Sequence, residues 1–230
     1  MRQRTDGIQT RRRILRAACE IFAANGFRDA TVADICERAE TNVASVNYHF
    51  RDKESLYIEV WRHVAQRAAE LHPIGGGVPA NAPVEERLRG HLHTLLQRMN
   101  DRGRLGDFQR LRMLEMANPT GFIDPIREEL RQPYREHLRK VVRELLGPRA
   151  TEKAVELCAL SVMGQCRAAR RRRGFKCRNA AASYTEAELE ELAEHITKFS
   201  LAGIRAVRRG IQHDRRGLTA SGKNGQRDDL

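Results

Sequence analysis

The chain has 230 residues, 40% hydrophobic and 31% charged, with only 5% aromatic, so any core must rest chiefly on Leu, Ile, Val, Ala and Met. Its 42 Lys and Arg against 30 Asp and Glu give a formal charge of +12, which draws polyanions, although so Arg-rich a chain also fits GC-rich coding DNA. No apolar run approaches the roughly 18 residues of a membrane span, and no apolar stretch follows the basic start, so a cytoplasmic protein with no membrane partner is expected.

The predicted elements follow in chain order. Ile14, Ala18, Ile21 and Phe22 recur at helical spacing and predict a first helix ending near Asn25-Gly26, with Gly26 placed for a left-handed cap. Thr31-Val-Ala-Asp34 reads as a capping-box start for a short helix over 32–39. After a tight turn at Glu40-Thr41, Asn42 caps a third helix from Val43 through His49, and Asp52 caps a fourth beginning at Lys53. The stretch 73–83 (PIGGGVPANAP) predicts a surface connection and a domain boundary.

Beyond it, helices are predicted over 84–100 and 105–117, the second stopped by Asn118-Pro119. Asp124-Pro125 is a cap with Pro at the first helical position, and Pro133 should bend or split that helix. A long helix then runs from Thr151 to about Arg173. Thr185–Glu188 is a capping box for a last helix to about Arg209. No strand-like alternation of useful length appears. The fold class expected is all-α, with about nine helices.

The informative stretch is 14–56. Two short helices joined by three or four residues, the second opening with small side chains, meet the geometry of a helix-turn-helix. Ala44 and Ser45 would let the helix backbone approach base edges. Val46 and Phe50 would pack inward against Ile35, Ile21 and Phe22. The run Arg13-Ile14-Leu15, Ala18, Phe22, Asn25-Gly26-Phe27, Thr31, Ile35, Ala39, Tyr48-His49-Phe50, Lys53-Glu54 and Leu56 resembles the DNA-binding domain of the TetR family. Glu40 stands in the turn where that family often has Gly, and Asn47 where it often has Tyr. More faintly, Asn47–Phe50, Met116–Thr120 and Ser161–Gln165 resemble the CecR-like branch.

That resemblance implies residues 1–60 as the DNA-binding domain and 61–210 as a larger helical domain for effector binding and dimerisation, while the polar composition of 211–230 predicts a disordered tail. It implies double-stranded DNA, a small-molecule effector and a second copy of the chain as partners, with no cofactor and no metal. Val43, Ala44, Ser45 and Asn47 would face base edges, and Tyr48, His49 and Lys53 would meet phosphates, with Thr31 and Asn42 beside them at the helix starts. Asn can bond adenine bidentately, whereas Tyr, His and Lys on phosphate position without reading sequence. The plainer reading is that Tyr48 and His49 cover the helix-turn-helix core.

Other features keep two readings. The N-terminal arm (Arg2, Arg4, Arg11, Arg12, Arg13, Arg16) either reaches DNA or is a solvated leader. The basic run 167–178 is a nucleic-acid patch or, as preferred here, a solvated helix end. Leu189, Leu192, Ile196, Phe199, Gly203 and Val207 fall at three- and four-residue spacings, and Val155, Cys158, Val162, Cys166 and Ala169 lie on the preceding helix. They would form either an intramolecular core or, as the resemblance favours, a two-fold four-helix interface. Phe108, Met113, Met116, Met163 and Gln165 are either an adaptable effector pocket or core packing. The five cysteines, odd in number and without a CxxC pair, are expected to be reduced and buried. No catalytic motif of weight appears, so an enzyme is not expected.

Overall fold

The computed structural model describes the backbone of residues 2–101, 105–176 and 184–221, and within them the side chains of 6–101, 105–169 and 184–212. Among the described residues are nine α-helices and no strand. They are α1 (Arg2–Asp29), α2 (Val32–Arg38), α3 (Val43–Phe50), α4 (Lys53–Leu71), α5 (Val84–Asn100), α6 (Gly106–Ala117), α7 (Asp124–Leu146), α8 (Glu152–Lys176) and α9 (Glu186–Ser221). The first helix begins earlier and the last ends later than periodicity predicts. Cys177, Arg178 and residues 222–230 lie outside the described residues, as do the side chains of Arg2 and Arg4.

Two compact units divide the helices, one comprising Met1–Leu71 with Asp101–Gln132 and the other His72–Asn100 with Pro133–Leu230. Pro133, expected to interrupt a helix, lies inside a continuous α7, and the units part at that residue.

In the first unit α6 and the start of α7 join α1–α4. Ile14, Ala18 and Phe22 of α1, Ile35 of α2, Val46 and Phe50 of α3, and Leu56 and Val60 of α4 are all buried in one cluster with Leu111, Ile123 and Ile126. Aromatic rings fill its centre. Tyr57 meets Phe22 edge-on with centroids 4.8 Å apart, and Trp61 meets Tyr57 at 6.4 Å and Phe108 at 6.0 Å. Edge-to-face pairs suit the ring quadrupoles and fix the relative rotation of the helices that carry them.

The second unit is built on apolar stripes. Leu88, Leu92, Leu95 and Leu96 of α5 pack with Leu138, Val141, Val142 and Leu145 of α7, Val155, Val162 and Cys166 of α8, and Leu189, Ala193, Ile196 and Ile204 of α9. The Gly-rich connection is more than a spacer. Its 3-10 turn, Ile74–Gly77, lies against α5 so closely that a Cβ on Gly90 would stand 2.5 Å from Val78 Cγ2 and 2.6 Å from the carbonyl oxygen of Gly75. Real Cβ atoms do not approach so near, so glycine is required there by packing.

Cys19, Cys36, Cys158 and Cys166 are free and buried, as expected. Burial pushes the Cys19 and Cys166 thiols up to about 12, which leaves them unreactive near neutrality.

Candidate nucleic-acid interface

Helix α2 starts with a complete capping box. The Thr31 hydroxyl oxygen accepts from Asp34 N at 3.1 Å, and Thr31 N donates to the Asp34 carboxylate at 3.2 Å. After the turn, Asn42 Oδ1 caps α3 by accepting from Ser45 N at 2.9 Å and from the Ser45 hydroxyl at 3.1 Å. Ser45 is thus tied into the cap and half-buried. The turn itself places Glu40 at φ +50°, the left-handed region where glycine is at ease.

The α3 helix has two faces. Val46 and Phe50 are buried, while Val43, Ala44, Asn47 and Tyr48 are exposed, Tyr48 at 85%. His49 is half-buried and meets the Tyr48 ring edge-on at 5.0 Å. Lys53 is engaged locally, with Nζ donating to the Arg28 carbonyl at 3.3 Å and lying 4.7 Å from the centre of the Phe27 ring. Arg11, grouped from sequence with a basic arm, anchors α3 to α4. Its guanidinium stacks over Phe50 at 4.9 Å and pairs with Glu59 at 2.7 Å. Nothing local in the sequence signals this, because Glu59 is 48 residues away. Arg12, Arg13 and Arg16 belong to the same helix and are exposed.

Gly26 does not form the left-handed cap that its position suggests. Its φ of +77° comes with ψ of 179°, an extended conformation open essentially to glycine alone, and it kinks the chain inside the end of α1, just before α2. Beside this corner the first unit holds a cleft of about 260 Å³. Its walls are residues 25–29, Tyr57 of α4, and Leu114, Glu115 and Asn118 from the end of α6. Tyr57 donates to Glu115 Oε2 at 3.1 Å, and burial pushes its phenol well above the usual range.

The five residues expected to line an effector pocket are not brought together within either unit. Met113 and Met116 are 65% and 56% exposed on the outer side of α6. Phe108, in the same unit, packs on Trp61. Met163 and Gln165 belong to the second unit, where the Gln165 amide donates to the Ser200 hydroxyl at 3.2 Å. Methionine content indicates an adaptable surface but not the direction in which it points.

The residues expected at a dimer interface also separate. Val155, Val162, Leu189 and Ile196 are buried in the core of their own chain. Leu192 is half-buried, and Phe199 and Gly203 are exposed. With Phe199, at 63% exposure, the outward face includes Val207 of the expected stripe, and also Leu157 and Leu160, which sequence reasoning passed over.

A two-faced α3 held by a short capped α2 and a tight turn makes this a helix-turn-helix DNA-binding regulator. Residues 14–60 match the family model for bacterial regulatory proteins of the tetR family, and residues 84–204 match that for the C-terminal domain of the HTH-type transcriptional dual regulator CecR. The chain belongs to the TetR family, with a C-terminal domain of the CecR type.

Among curated relatives, the HTH-type transcriptional regulator UidR of Escherichia coli is 42% identical over 52 residues, 23% of this chain and 26% of that one. YdgC of Bacillus subtilis, an HTH-type transcriptional regulator, is 31% identical over 68 residues, 30% of this chain and 35% of that one. These matches span only about a quarter to a third of the relatives' length. Among solved structures, a TetR-like regulator from Rhodococcus sp. RHA1 superimposes with a TM-score of 0.55 at 20% identity, covering 84% of this chain and 96% of that one. The TetR-family regulator PfmR from Thermus thermophilus gives 0.56 at 18% identity, covering 82% and 94%. At such identities the likeness establishes the fold. Regulators of this family are not enzymes.

Proposed function

We propose that this regulator is a cytoplasmic homodimer that represses transcription from a near-palindromic operator and is released from it by a small-molecule effector. The observation that carries this reading is α3, with Val46 and Phe50 buried and Val43, Ala44, Asn47 and Tyr48 turned outward on the other face. Asn47 is the base-reading residue and Tyr48 a phosphate contact, joined by His49 and by Lys53 once its local contacts yield. Val43 and Ala44 allow close approach. Thr31, Asn42 and Ser45 act chiefly through the helix starts they hold.

Two copies of α3, one in each major-groove site, require half-sites about one helical turn apart, some 34–36 Å. The apolar outward face of α8 and α9, carrying Leu157, Leu160, Phe199 and Gly203, is the natural two-fold contact. Repression has a precedent in NicS of Pseudomonas putida, a transcriptional repressor 36% identical over 56 residues. Selection of bound sequences from a random DNA pool at near-physiological salt tests the reading. A near-palindromic motif with that spacing is expected. Binding without sequence enrichment that fades as salt rises would replace it with charge-driven association.

A further inference from the structure

We infer that the cleft beside the α1–α2 corner is a binding site for a compact organic cation. Glu115, at the end of α6, is a carboxylate only 3% exposed. It accepts three hydrogen bonds, all from neutral donors. Tyr57 OH reaches Oε2 at 3.1 Å, and Thr120 N and the Thr120 hydroxyl reach Oε1 at 2.9 and 2.8 Å. Among the described residues no Lys, Arg or His nitrogen stands within 4.0 Å of this carboxylate. Neutral donors stabilise a buried anion without cancelling its charge, and buried charges are ordinarily paired. Oε2, with a single bond, retains capacity for a second donor.

The space beside Glu115 supplies what a counter-charge would need. About 260 Å³ accommodates a small organic molecule. Tyr57 and Phe27 give the walls aromatic character, while Asn25, Asp29 and Asn118 add polar groups and one more negative charge. An ammonium is attracted both to ring faces and to carboxylate, and an anion is repelled by Glu115 and Asp29. Two basic residues lie near. Lys53 is turned to the Arg28 carbonyl and the Phe27 ring, and Arg28, which also lines the cleft, is exposed to solvent. Neither pairs with Glu115. The cleft therefore combines volume, a buried carboxylate with no counter-ion among the described residues, and walls suited to an alkylammonium body. This site is independent of the effector reading above, because it is tested by direct binding.

Trp61, the only tryptophan of the chain, meets Tyr57 edge-on at 6.4 Å and reports on the cleft. The full chain is titrated with choline and with 3,3-dimethyl-1-butanol, its neutral counterpart of the same shape, following Trp61 emission and the heat of binding. Choline is expected to bind saturably and at least about tenfold more tightly than the alcohol, a factor equivalent to about 1.4 kcal/mol. Glu115→Gln should weaken choline by about tenfold or more. Asn118→Arg, at an exposed position on the rim, should place a like charge at the mouth of the cleft and weaken choline as well. Equal binding of choline and the alcohol would overturn the inference. So would no saturable choline binding, or an affinity that survives Asn118→Arg, which would locate the choline site elsewhere.

Discussion

His91 of α5 and His137 of α7 meet nitrogen to nitrogen inside the second unit, their Nδ1 atoms 3.0 Å apart and their rings stacked at 5.0 Å. Such a contact holds only when one nitrogen carries the proton and the other accepts it, so the two rings cannot both be protonated. Burial, and then the neighbouring His137, lowers His91 to about 3. Burial, with Arg87 and Lys140 nearby, also lowers His137.

The pair makes stability pH-dependent in a defined direction. Unfolded histidines take up protons near pH 6.5 while these two resist, so the unfolded state binds more protons as the solution is acidified. Stability is therefore full above pH 6.5 and falls below it, by up to about 1.4 kcal/mol per pH unit for each such histidine. Thermal unfolding of the native chain and of His91→Leu from pH 8 to pH 5 checks this. The native curve should fall more steeply below 6.5, and parallel curves would show that the pair does not titrate as described.

Gly90→Ala should destabilise the second unit. The added methyl meets Val78 Cγ2 and the Gly75 carbonyl at 2.5 and 2.6 Å, and the second of these is backbone that cannot rotate away. Better helix propensity would favour alanine by about 1 kcal/mol, but overpacking costs about 1–3 kcal/mol and wins. Denaturant unfolding should show a lower midpoint. A midpoint at or above that of the native chain would mean that the turn Ile74–Gly77 is not docked on α5.

How much of this was legible in sequence depends on how local the signal is. The caps at Thr31 and Asn42 and the inward Val46 and Phe50 are written within a few residues of one another, so the helix-turn-helix reads directly. Helices α8 and α9 are harder, because each carries two apolar stripes. Val155, Val162 and Ile196 look inward while Leu157, Leu160 and Phe199 look outward, and periodicity alone cannot say which stripe belongs to the protomer's own core. The Tyr57–Glu115 pairing is 58 residues long in sequence and has no local mark at all.

Glu40→Gly and Gly26→Ala should move stability in opposite directions. Glu40 holds φ +50°, which costs an L-residue about 1 kcal/mol or more. Glycine removes that strain while losing somewhat more chain entropy, leaving an expected gain of up to about 1 kcal/mol. At Gly26 no atom lies within 4 Å of an added methyl, yet φ +77° with ψ 179° excludes it conformationally, and a loss of about 1–3 kcal/mol is expected. Chemical denaturation of both variants decides. A stable Gly26→Ala would mean that the corner can rearrange.

Asn47→Ala and Tyr48→Ala should separate reading from positioning. Both side chains are exposed on α3, so neither change should alter the melting temperature appreciably. Loss of Asn47 is expected to relax preference at one base pair of each half-site, by about 1–3 kcal/mol. Loss of Tyr48 should weaken all sequences alike. Repeating the random-pool selection with each variant measures both, and unchanged binding in both would remove α3 as the reading helix.

The outward face of α8 and α9 can be distinguished from the inward one by substitution. Ile196 is 2% exposed within its own chain, so Ile196→Ala should lower unfolding stability by about 2–5 kcal/mol. Phe199 is 63% exposed, and Phe199→Glu removes no contact in the protomer's apolar core, so the isolated fold should tolerate it. In a dimer built on this face the same change places a carboxylate on each side of the two-fold axis, in an apolar contact, and both desolvation and repulsion act against association. Sedimentation at several concentrations should then find Phe199→Glu monomeric with a native circular-dichroism spectrum, while the unmodified chain sediments as a dimer. A Phe199→Glu protein that still dimerises would move the two-fold contact off this face and leave Leu157 and Leu160 in need of another partner.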